Sequence, residues 1–146
     1  MYDQTAGHSV SDEIHCAGWS RTFPATPDQT GQARRFLTAI LNGSALADDA
    51  VTCLGELASN AIIHSHSCLP GGTFTVRVHT RPGRLRVEVH DNGGPWAPRH
   101  TGDGGGAGPA TGGRGLLIVS RLADRWDITP TTTAPYRTAW FEMDRS

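Results

Sequence analysis

A chain of 146 residues with 37% hydrophobic content and a formal charge of -1 fits one domain with one core, and it exerts no general electrostatic pull on nucleic acid or anionic lipid. All 13 basic residues are Arg, which excludes a Walker A phosphate loop, the strand lysine of eukaryotic-type kinases and Schiff-base chemistry, because each requires an amine. No apolar run approaches the roughly 20 residues that cross a bilayer and the N-terminus lacks a basic-then-apolar leader pattern, so a cytoplasmic protein without membrane or direct nucleic-acid contacts is expected.

Residues 1–18 are polar and aperiodic and are expected to form a mobile tail, with the folded domain spanning 19–146. Cys16, Cys53 and Cys68 are odd in number and irregular in spacing, the pattern of reduced thiols. Next, "GWSRTFPATP" predicts a short edge strand stopped by Pro24 and Pro27. A helix follows over 28–42, with Ala33, Phe36, Leu37, Ile40 and Leu41 on one side and Asn42-Gly43 ending it.

A second helix is predicted over 46–64 from the spacing of Leu46, Ala50, Val51, Leu54, Leu57, Ala58, Ala61 and Ile62. Glu56, Asn60 and His64 form a separate row along its flank, four residues apart. By itself such a row also describes a solvated helix face, and a histidine at a helix end also suits the helix dipole. His64, His66 and Cys68 alternate as metal ligands do, but no third and fourth partners are evident.

Phe74, Val76 and Val78, then Leu85, Val87 and Val89, alternate about Arg81-Pro82-Gly83, which predicts a hairpin. The alternation runs one step further. Asp91 falls in phase with the apolar residues, so a continuing strand carries its carboxylate to the core face. A turn formed by Asp91-Asn92-Gly93 is the other reading.

Residues 93–115 contain ten Gly among 23, too long a stretch for a simple connection. "RGLLIVSRLADRW" then predicts a helix opening at Gly112-Gly113-Arg114-Gly115, and two strands near 125–130 and 137–143 close the chain. Early helices and late strands indicate an α+β domain. The GxGxxG-like run from Gly102 is a weak signal, because it does not join a strand directly to a helix.

In this order the motifs resemble the nucleotide-binding boxes of the GHKL, or Bergerat-fold, ATPase superfamily. "ELASNAIIH" looks like its N box, "DNGGP" its G1 box and "GGRGLLIV" its G2 box, and the resemblance covers about 19–144. The short form with Glu leading the N box is similar to the bacterial anti-sigma regulatory factors, a serine-protein kinase branch. The implied fold is a two-layer α/β sandwich: a mixed, mostly antiparallel sheet with helices on one face, and an ATP lid at about 94–112.

The implied cofactors are ATP and Mg²⁺. Asp91 would accept a hydrogen bond from the adenine amino group, and Gly93 would let the chain approach the base. Asn60 would ligate Mg²⁺ and His64 would lie near the phosphates. The amides of Gly113, Arg114, Gly115 and Leu116 would hold phosphate oxygens, and Glu56 would act as the base toward an attacking hydroxyl. Thr138 in "RTAWFEM" resembles a Thr of the last box that reaches adenine through water, although Arg137 stands where the family commonly has Gly.

The implied function is an anti-sigma factor that phosphorylates a Ser of a STAS-type antagonist and otherwise captures a sigma factor, working as a homodimer. The alternative is a nucleotide-gated interaction module with little or no kinase activity.

Overall fold

The computed structural model describes residues 17–64, 71–92, 110–130 and 137–145. In chain order these form β1 (Ala17–Pro24), α1 (Gln29–Ile40), α2 (Ala47–His64), β2 (Thr73–Arg81), β3 (Arg84–Asp91), α3 (Ala110–Leu122), β4 (Arg125–Pro130) and β5 (Arg137–Asp144). The strands make one sheet in the order β1-β2-β3-β5-β4. Each described pairing is antiparallel, where a mixed but mostly antiparallel sheet was expected. This is the expected α+β sandwich, with α1, α2 and α3 packed on one face.

Hairpin chemistry fixes the register of the central strands. Arg81 pairs with Arg84 across Pro82-Gly83, and Gly83 has φ +80°. Proline followed by a residue of positive φ is the combination that a type II turn demands. From that anchor Phe74, Val76, Val78, Leu85, Val87 and Val89 all point inward and are buried. Burying a side chain of this kind contributes about 1.5–3 kcal/mol relative to leaving it exposed.

Phe23 of the edge strand stands opposite Phe74, their rings stacked 5.4 Å apart, and meets Phe36 of α1 edge-on at 5.9 Å. That trio ties the sheet edge to the helix layer. The opposite face of the sheet is polar, as an antiparallel sheet covered on one side should be. There Arg86 donates to Glu88 and Glu142 while its guanidinium lies 4.2 Å from the centre of the Trp140 ring.

Two boundaries differ from the sequence reading. β1 begins at Ala17, inside the expected tail, because pairing with β2 continues to Thr80. α3 begins at Ala110, inside the expected lid, so the glycines at 112, 113 and 115 belong to a helix. Among the described residues no helix is long and apolar enough to cross a membrane.

Candidate nucleotide site

Among the described residues, the buried surface between helices and sheet is apolar except at one group. Asn60 is 8% exposed, Asp91 4% and Arg137 2%. Glu142, the other buried charged residue described, belongs to the outer face, where Arg86 and Arg125 donate to it.

Asp91 takes the inward phase that its spacing from Val89 predicts. Antiparallel pairing of β3 with β5 then sets Arg137 directly opposite it. Residues facing each other across such a pair share a face of the sheet, and Arg137 keeps phase with buried Ala139, Phe141 and Met143. Its Nη2 donates to Asp91 Oδ1 at 3.1 Å. Burial pushes the Arg137 guanidinium below its ordinary pKa, against the opposing pull of the Asp91 charge.

Thr138 consequently falls on the other face. Its hydroxyl lies 3.1 Å from His90 Nδ1, and the His90 ring reaches Glu88 at 2.8 Å. The expectation that Thr138 shares the base pocket with Asp91 is therefore off by one residue. Strand alternation turns that single step into a change of face, and the residue beside Asp91 is Arg137.

On α2, Glu56 is half-buried and Asn60 is buried one turn further on. α2 packs against α3, and the contact is close at Gly115: a Cβ there would sit 2.9 Å from Glu56 Oε1. Glycine at 115 thus makes room for the carboxylate. Among the described residues Asn60 Nδ2 has no hydrogen-bond partner. A buried amide left this way costs about 1–3 kcal/mol, so the position is one where a ligand would supply what the protein does not.

A second close approach lies on the other flank of α2. A Cβ on Gly55 would lie 2.6 Å from Arg34 Nε, so the α1 guanidinium rests on the backbone of the residue preceding Glu56. The sequence reading passed over Arg34, because a contact between two helices leaves no periodic signal. Cys53 has its thiol pushed up to about 12, first by burial and then by the charges of Asp49 and Glu56. It is no nucleophile at neutral pH.

The phosphate-holding role expected of residues 113–116 meets a different geometry. A helix leaves open only the amides of its first turn, and α3 starts at Ala110. Arg114, Gly115 and Leu116 therefore lie past that turn. The side chains of His64 and Arg114 and the surroundings of Gly113 lie outside the description, as do Gly93, most of the 94–112 segment and the His66 and Cys68 positions. Among the described residues no cluster of His, Cys, Asp or Glu could hold a metal ion.

An antiparallel sheet is thus backed by three helices, with Asn60 and Asp91 buried where the two layers meet. The model of the histidine kinase-like ATPase domain family matches residues 23–135, and this chain belongs to that family. No curated protein matches. Among solved structures, the chain is similar to the crystal structure of the RsbU and RsbW domains of Rv1364c from Mycobacterium tuberculosis. The identity is 19% and the TM-score 0.64, over 89% of this chain and 33% of that one. This chain thus spans about a third of the length of the structure it resembles.

Proposed function

We propose that this domain binds Mg-ATP at the boundary of α2, α3 and the β3 end, and that it is an anti-sigma regulatory factor with serine-protein kinase activity. The contact between Glu56 Oε1 and the space above Gly115 carries the reading. It sets a carboxylate against the helix that follows the glycine-rich segment, one turn from a buried amide with an unmet donor. The RsbW domain in the similar structure supports the anti-sigma branch, and Glu at the head of the N box supports catalysis.

The residues present fit the nucleotide. Asn60 offers a neutral amide oxygen to Mg²⁺, which needs few protein ligands because phosphate oxygens and water complete its shell. Asp91 accepts a hydrogen bond from the adenine amino group. The open amides of the first turn of α3 would take phosphate oxygens. ATP supplies the phosphoryl group and leaves as ADP. Glu56 takes the proton of the serine hydroxyl as its oxygen becomes bonded to phosphorus.

The partners that follow are a STAS-type antagonist bearing the serine, and a sigma factor held when the antagonist is modified; a homodimer is the assembly proposed. A nucleotide-gated interaction module without transfer is the second reading, favoured by Arg137, which already engages Asp91. Transfer of radiolabelled phosphate from Mg-ATP to the STAS-type protein of the same genome separates the two. Wild type should label it, and Glu56→Gln should bind ATP normally while labelling at least about 100-fold more slowly. Equal labelling by both removes Glu56 from its role, and none by either favours the module.

A further inference from the structure

Arg137 and Asp91 form the one ion pair among the described residues in which both side chains are nearly sealed from solvent, at 3% and 2% exposure. The pairing is set by register and does not depend on a flexible surface rotamer. Arginine does not give up its charge in proteins and carries five N-H donors in a rigid fork. The acid proposed to read the base is therefore half of a carboxylate-guanidinium unit.

A lone buried carboxylate is a strict reader. It accepts from the 6-amino group of adenine and repels the 6-oxo oxygen of guanine or hypoxanthine, which has no proton to give. A carboxylate beside a guanidinium is a weaker judge for two reasons. Its oxygen already accepts a charge-assisted bond from Arg137, so another donor gains less. The guanidinium also sets donors next to the acceptor: adenine meets such a pair with its 6-amino group and N1, and a 6-oxo purine meets it with its N1-H and 6-oxygen, so both bases find a donor and an acceptor.

We propose that Arg137 is a base-selectivity residue of the proposed nucleotide site, relaxing the preference for 6-amino over 6-oxo purines that Asp91 alone would impose. The inference rests on the nucleotide reading above. Replacing Arg137 by a small neutral residue sharpens the choice of adenine.

The test is calorimetric titration of the intact chain with Mg-ATP and Mg-ITP. The two differ at position 6 and the adjoining N1 proton, without the 2-amino group of guanine. The ratio of the two Kd values in wild type is expected below about threefold, rising to about tenfold or more in Arg137→Thr. Because that variant leaves Asp91 charged and buried, circular dichroism checks its folding, and Arg137→Gln, which keeps a neutral donor, should give an intermediate ratio. A wild-type ratio above about 30 overturns the inference without any variant, and so does a ratio unchanged in both variants. Folded wild type and variants that bind neither triphosphate defeat the nucleotide reading itself, whereas tight, steeply ATP-selective wild type defeats only the role of Arg137.

Discussion

Glu56 and Gly115 meet across the α2–α3 interface so closely that any side chain at 115 would enter the space held by the carboxylate, 2.9 Å from its Oε1. Gly115→Ala should therefore separate stability from activity. The atom displaced is the end of a flexible side chain, and alanine is favoured over glycine in a helix by about 1 kcal/mol, so the melting temperature should hold or rise. Phosphate transfer should fall by at least about tenfold, since a misplaced base loses much of its contribution. Thermal melts beside the radiolabel assay check both halves.

Asp91 and Arg137 should show the thermodynamics of a buried pair. Asp91→Asn leaves a guanidinium without its carboxylate and is expected to destabilise by about 3–5 kcal/mol. Replacing both residues, as Asp91→Asn with Arg137→Met, should cost clearly less than the sum of the two single changes. Urea unfolding of the four proteins measures this, and additive losses would show that the two do not act as a unit.

These two relationships stood differently in the sequence. The inward phase of Asp91 was legible because Leu85, Val87 and Val89 set a period of two that a strand cannot break without a bulge. The same rule was available for β5, where Ala139, Phe141 and Met143 point back to Arg137. Matching "RT" to a motif favoured Thr138 instead, and the residue beside Asp91 was named only as a departure from the pattern. The contact of Glu56 with Gly115, and that of Arg34 with Gly55, depend on how helices far apart in sequence pack. Periodicity reports the buried face of one helix and says nothing of which neighbour covers it. The early start of α3 was hidden because glycines argue for loop by their intrinsic preference, which packing overrides.

The outer face of the sheet should govern acid stability. Burial alone would raise the Glu142 carboxyl, but hydrogen bonds from Arg125 and Arg86 outweigh it and hold the group below its ordinary value. Glu88 behaves alike, with burial opposed by Arg86 and His90. A carboxylate depressed in the folded state adds stability above its unfolded pKa and loses it as pH falls through the folded one. Stability should therefore hold from neutral pH down to the ordinary glutamate value of 4.5 and decline below it. In Glu142→Gln the neutral plateau should drop by about 1 kcal/mol, with a shallower acid limb, measured by urea melts at each pH.

The most direct test of the nucleotide site is calorimetric titration of wild type and Asn60→Ala with Mg-ATP. Asn60 Nδ2 has no partner among the described residues, so the substitution relieves an unmet donor and should leave stability unchanged or raise it. If Asn60 serves Mg-ATP, wild type binds and the stable variant binds at least about tenfold more weakly, the trade between stability and function expected of a binding residue. Undiminished affinity in Asn60→Ala, or no binding by wild type, would contradict the account.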